Sequence, residues 1–224
     1  MPASRSAPYW GVDAIIFELR TYTFNPGTLP AYIEHVEKVG RPVRGDDYGK
    51  CWGYWTSEFG QINQAWHLWS YASLDERTRM REALSKNERW NKEYVPVVQP
   101  MLQRQDVRFL NPVVEMQPPA PGGVYELRIY RMHPGKAGQW AQAFKAVMPV
   151  RQKYSKYVGI WTGEAPQPNE VLHMWNYPDL NTRAKVRAEF QRDPEWQAFV
   201  AANTPKLLEM QSVLLMPTPF SALR

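Results

Sequence analysis

The sequence predicts an α+β protein built from two tandem βαββαβ units whose sheets pack face to face. Three observations carry that prediction. The alternating hexapeptide Phe17-Glu18-Leu19-Arg20-Thr21-Tyr22 returns as Tyr125-Glu126-Leu127-Arg128-Ile129-Tyr130. The run His67-Leu68-Trp69-Ser70-Tyr71 returns as His173-Met174-Trp175-Asn176-Tyr177. Between the copies lies Pro118-Pro119-Ala120-Pro121-Gly122-Gly123, a breaker-rich linker. A recurrence on this scale is the duplication of a whole domain. The chain divides into a flexible tail over 1–13, a first repeat over 14–116, a linker over 117–123 and a second repeat over 124–224.

The first strand runs to about Phe24, because successive side chains alternate between apolar and polar. Pro26-Gly27 then turns the chain, as does Pro134-Gly135 in copy two. Leu29 to about Val39 reads as a helix, with Tyr32, Ile33 and Val36 spaced for one face; Trp140, Phe144 and Val147 repeat the pattern. The second strand spans about Cys51 to Thr56 and the third about Ala65 to Tyr71. Ser73 reads as an N-cap with Glu76 as its capping-box partner, and Asp179 is its counterpart. A second helix runs to about Tyr94 with a bend at Asn87, where copy two has Asp193-Pro194. A last strand, about Gln105 to Leu110 and Gln211 to Met216, closes each unit.

Alternation assigns faces. Glu18, Arg20 and Tyr22 share one parity, as do His67, Trp69 and Tyr71, and copy two repeats both sets. In strand two, Trp52 and Tyr54 are expected to face the helices, with Trp55 and Trp161 on the far side. The polar and aromatic parity is too aromatic for water and too polar for a plain core. The expectation is that two such faces meet and enclose a lined space.

Composition bounds the function. The chain has 224 residues, is 44% hydrophobic and carries a net charge of +5, with basic and acidic residues interspersed. No Lys/Arg run or nucleic-acid motif is present, so a nucleic-acid partner is not expected. No apolar run approaches the roughly 20 residues that span a bilayer. Cys51 stands alone, and residues 1–13 lack a secretory h-region, so a reducing, cytoplasmic location is expected.

The F-E-L-R-T-Y opening, the Pro-Gly turn, the G-x-W-x-[ST]-E run and the H-x-W-x-Y strand together resemble the NIPSNAP family of the dimeric α+β barrel superfamily. The resemblance spans nearly the whole chain as two copies. It implies ferredoxin-like repeats with sheet order 4-1-3-2, closed as an intramolecular α+β barrel. It also implies a pocket of the kind used by cofactor-free monooxygenases, isomerases and cyclases, without fixing a reaction. In that sheet order Tyr22 is expected beside His67, Arg20 beside Trp69 and Glu18 beside Tyr71.

On these grounds the candidate catalytic residues are His67, His173, Tyr22, Tyr130, Arg20 and Arg128. An imidazole titrates near neutrality and can move a proton, a nearby phenol can hold a substrate oxygen, and a guanidinium can anchor a carboxylate, enolate or phenolate. The candidate binding walls are Trp55, Trp69, Tyr71, Trp161, Trp175 and Tyr177, with Glu18 and Glu126 orienting the arginines. The competing readings are core histidines, structural Glu–Arg pairs and packing tryptophans. Trp90 and Trp196 read as helix core, and Glu58 and Glu164 as turn residues. No metal site is expected, because HxH, HExxH and CxxC spacings are absent. No cofactor is expected; a haem held by His67 or His173 is the alternative. The expected partner is a small hydrophobic or aromatic ligand inside the barrel, and helix faces could pair two chains as a homodimer. The alternative to an enzyme is a non-catalytic binding or protein-interaction module.

Overall fold

The computed structural model describes residues 15–119 and 121–224. The expected flexible tail over 1–13 lies outside them. The strands are β1 (Ile16–Phe24), β2 (Lys50–Ser57), β3 (Gln64–Tyr71), β4 (Leu102–Pro112), β5 (Val124–Met132), β6 (Tyr157–Ala165), β7 (Glu170–Tyr177) and β8 (Leu207–Pro217). They close an antiparallel barrel in the order β1-β3-β2-β8-β5-β7-β6-β4. Each half has the expected sheet order 4-1-3-2, and β2–β8 and β4–β6 are the two seams. Closure leaves no free strand edge in the barrel.

The helices lie outside this barrel. In the first half, α1 (Leu29–His35) continues through a π-helical turn (Val36–Gly40) into α2 (Arg41–Arg44). Then α3 (Leu74–Ser85) leads through a second π-turn (Trp90–Tyr94) into α4 (Val95–Val98). The second half has α5 (Ala137–Arg151), α6 (Leu180–Phe190) and α7 (Pro194–Asn203). The cap signals form as expected. Ser73 Oγ accepts from Glu76 N at 3.0 Å, while Glu76 turns back onto Ala72 N. The bend at Asn87 comes from its side chain accepting from Trp90 N at 3.0 Å, and Asp193 caps α7 through Glu195 N and Trp196 N.

Three expectations fail. The register between β1 and β3 is Glu18↔Trp69, Arg20↔His67 and Tyr22↔Ala65, one same-face pair away from the expected one. The second half follows suit, with Glu126↔Trp175 and Arg128↔His173. More important, the faces are exchanged. Phe17, Leu19, Leu68 and Met174 pack with Trp55, Tyr125, Leu127 and Trp161 in one apolar cluster drawn from both halves, which is the barrel interior. Phe17 meets Trp161 at 5.7 Å and Trp55 meets Tyr125 at 5.5 Å, equivalent contacts across the repeat.

Glu18, Arg20, Tyr22, His67, Trp69 and Tyr71 therefore point out toward the helices, and so do Glu126, Arg128, Tyr130, His173, Trp175 and Tyr177. The physical reason is size and charge. An eight-stranded barrel is only wide enough for side chains to fill, and its filling is apolar. Buried ions need partners, and those partners sit on the helices. Trp55 and Trp161 do face the barrel interior as expected. A β-bulge between Cys51 and Gly53 turns Trp52 to the barrel side instead of the expected helix side, and its repeat between Tyr157 and Gly159 places Val158 there too.

Candidate functional site

Each half holds its polar constellation in the layer between sheet and helices. Strand alternation delivers three side chains from β1 (Glu18, Arg20, Tyr22) and three from β3 (His67, Trp69, Tyr71) to one face. In the second half β5 and β7 deliver Glu126, Arg128, Tyr130, His173 and Trp175.

Glu18 and Glu126 are fully buried and fastened by arginines. Glu18 accepts from Arg20 Nη1 and from Arg77 Nε, both at 2.5 Å. Glu126 accepts from Arg128 Nη2 at 2.8 Å, Arg183 Nη2 at 2.6 Å and Ser212 Oγ at 2.7 Å, and Arg187 lies 4.0 Å away. Burial alone would raise the Glu126 carboxyl; the hydrogen bonds from Arg183, Ser212 and Arg128 overcome it and hold the pKa at about 2. Glu18 is likewise lowered, with Arg20 and Arg77 outweighing desolvation. The same arginines reach the tyrosines: Arg20 Nε donates to Tyr22 Oη at 2.8 Å and Arg128 Nη1 to Tyr130 Oη at 2.6 Å.

The histidines are the most defined feature. Trp69 Nε1 donates to His67 Nδ1 at 2.6 Å, and Trp175 Nε1 donates to His173 Nδ1 at 2.6 Å. An indole N–H can only donate, so Nδ1 must present its lone pair and the ring proton sits on Nε2. Both rings are buried, and neither Nε2 has a hydrogen-bond partner among the described residues. Burial, followed by the fields of Arg20 and Arg44, pushes His67 well below its usual range. Burial and Arg128 do the same to His173. Each imidazole is therefore neutral at pH 7 with an unpartnered N–H donor. The expectation that His67 or His173 carries a proton away from a substrate meets a lone pair already in use.

The histidines open on cavities. In the second half, one of about 200 Å³ is lined by His173, Arg128, Tyr130 and Trp175 of the expected set. The helices complete its wall with Trp140, Phe144, Trp196 and Phe199. In the first half, one of about 260 Å³ is lined by His67, Arg20 and Tyr22 together with Tyr54 and Tyr94. Tyr54 stacks on His67 at 4.5 Å, where the second half has Ile160, so the two cavities differ in polarity. Trp69 supports His67 from behind, and Tyr71 and Tyr177 accept from Arg44 and Arg151 at 3.1 and 3.2 Å. Neither Trp55 nor Trp161 is among the described residues that line the two histidine cavities.

Several lining residues carried no functional expectation. Arg81 on α3 lines the first cavity and Arg187 on α6 the second. Arg44 and Arg151 also line the cavities, and their sequence signal is the repeat of Pro42-Val43-Arg44 as Pro149-Val150-Arg151. Trp90 and Trp196, read as core, are partly buried cavity walls. Glu58 and Glu164 are exposed. Burial raises the Cys51 thiol to about 11, which leaves it a poor nucleophile. Among the described residues no group of three or more His, Cys, Asp or Glu is placed to hold a metal ion, and no helix is long and apolar enough to cross a membrane.

Residues 17–115 and 125–222 each match the family model described as NIPSNAP. Human Protein NipSnap homolog 3A is 31% identical over 217 residues, covering 95% of this chain and 87% of that protein. The NipSnap homolog of Dictyostelium discoideum is 28% identical over 210 residues, covering 90% of this chain and 87% of its own. Among solved structures, a candidate monooxygenase from Lactobacillus acidophilus superposes with a TM-score of 0.69 at 14% identity, covering 94% of this chain and 96% of that one. An anthrone oxidase-like protein gives 0.63 at 12% identity, with 95% of each chain covered. At these identities the two structures share the fold.

Proposed function

This chain belongs to the NIPSNAP family, and from that premise we propose that it binds a small apolar or aromatic molecule in the cavity between sheet and helices. One such cavity serves each half, and the barrel interior serves neither. The observation that carries this reading is the buried, unpartnered Nε2–H of His173 at the wall of an aromatic cavity of about 200 Å³. A buried donor without a partner is costly, and a ligand oxygen would satisfy it.

The chemistry that follows is oxyanion stabilisation. A fixed N–H in a dry pocket, backed by Arg128, favours an enolate or phenolate oxygen over its neutral parent. Such an anion is shared by isomerisation, cyclisation and cofactor-free oxygenation, the reaction classes of the wider fold. Among the described residues lining the second cavity, none is acidic. With His173 Nδ1 occupied, a general base is not supplied, which favours a substrate that ionises readily. His67 and Tyr22 repeat the arrangement in a more polar setting.

Native mass spectrometry of protein purified from its own host, alongside the His173→Phe variant, tests the proposal. A small molecule retained by the parent protein and lost from the variant is the expected result. Equal retention by both would remove His173 from the site.

A further inference from the structure

Buried charge in each half is out of balance. Glu126 faces Arg128, Arg183 and Arg187, yet a fourth arginine, Arg151, has no carboxylate within 4 Å among the described residues. Arg151 is 3% exposed. It lies over Phe190 at 3.7 Å and Trp175 at 4.2 Å, and its polar partners are the hydroxyls of Tyr177 and Ser155. The first half repeats the feature. Arg44 is 4% exposed, stacks on Trp69 at 3.3 Å and donates to Tyr71 Oη at 3.1 Å, while its Nε is unpartnered. Arg81, the counterpart of Arg187, has no carboxylate within 4 Å either.

A buried guanidinium without a counter-ion is costly, and both copies kept one at the same place. Burial pushes the Arg151 and Arg187 pKa values down, and neighbouring guanidiniums add to the effect. Arg151 and Arg187 line the same cavity as His173, beside the aromatic wall. Arg44 and Arg81 line its counterpart with His67.

We propose that each cavity takes its ligand as an anion, an aromatic or apolar carboxylate whose charged end is held by Arg151 and Arg187, or by Arg44 and Arg81 in the first half. This rests on the binding reading of the His173 cavity and adds the ligand's charge to it. The guanidinium fork suits a carboxylate, and the surrounding rings suit an apolar body. The His173 N–H is left for a second oxygen.

The test is a matched pair of probes, naphthalene-2-carboxylate and the neutral naphthalene-2-carboxamide, titrated calorimetrically into the full chain at neutral pH. The acid is expected to bind about 30-fold or more tightly than the amide, the scale set by a buried charge pair. Arg187→Met, at a partly exposed position and so tolerant of the change, is expected to erase most of that difference without weakening the amide. Arg151→Met should do the same, and circular dichroism reports whether it folds. Equal binding of acid and amide overturns the anion inference and leaves an apolar cavity standing. Binding of neither probe overturns both.

Discussion

Trp175 Nε1 donates to His173 Nδ1 across 2.6 Å, and Trp69 does the same to His67 at the same distance. Two residues apart on one strand face, the indole sets which ring nitrogen of the imidazole carries the proton. The pair converts a residue usually read as an acid–base group into a fixed donor.

That tautomer is directly visible. Nitrogen-15 shifts of the wild-type protein at pH 7 are expected to show both buried histidines protonated at Nε2. Trp175→Phe removes the donor and leaves Nδ1 free. It should give a mixture of tautomers at His173 and cost about 1–3 kcal/mol of stability, read by denaturant unfolding. An unaltered His173 spectrum would mean that the indole does not set the tautomer.

Stability should depend on pH through the same rings. Each folded-state pKa is depressed below the ordinary 6.5, so the unfolded chain binds more protons as pH falls. Sign and window follow. The contribution is fully present above pH 6.5 and is lost as pH drops from there toward the folded values. The slope is roughly 1.4 kcal/mol per pH unit for each histidine. Urea midpoints measured from pH 8 to 5 check this. The double variant His67→Gln/His173→Gln is expected to flatten the curve.

The carboxylates give a second stability prediction. Glu126→Gln leaves Arg128 and Arg183 without their shared counter-ion in a buried site, and should cost about 3–5 kcal/mol. Glu18→Gln should cost a similar amount through Arg20 and Arg77. A loss under 1 kcal/mol in both would mean that water reaches these ions more freely than their burial implies.

Glycines mark the barrel side. A methyl group on Gly159 would overlap the ring of Trp161, and one on Gly53 would overlap Trp55. Gly159→Ala and Gly53→Ala are each expected to cost about 1–3 kcal/mol by overpacking. Neither should weaken naphthalene-2-carboxylate binding, because the barrel core and the cavities lie on opposite faces of the sheet.

Much of this architecture was legible in the residues. The doubled Glu-x-Arg-x-Tyr and His-x-Trp-x-Tyr strands gave the repeat, the four strands per half and the parity of each side chain. Parity says which residues share a face and not what covers it. The covering was readable elsewhere: α3 carries Arg77 and Arg81 one turn apart and buries only Leu84, so its sheet-facing side is cationic. Such a helix belongs over Glu18, not over Phe17 and Leu19. The Arg44 and Arg151 pair was also written in the repeated Pro-Val-Arg, which a comparison of helices as well as strands reveals. The strand-two bulge had no such signal, since one unpaired residue leaves the alternation of short aromatic runs ambiguous.

Ligand is proposed to bind between sheet and helices, one site per half, and not within the barrel. A crystal structure of the protein soaked with naphthalene-2-carboxylate tests it most directly. Density against Trp140 and Phe144, with the carboxylate at Arg151 and Arg187, is the predicted result. Density lodged between Trp55 and Trp161 in the barrel core would contradict it.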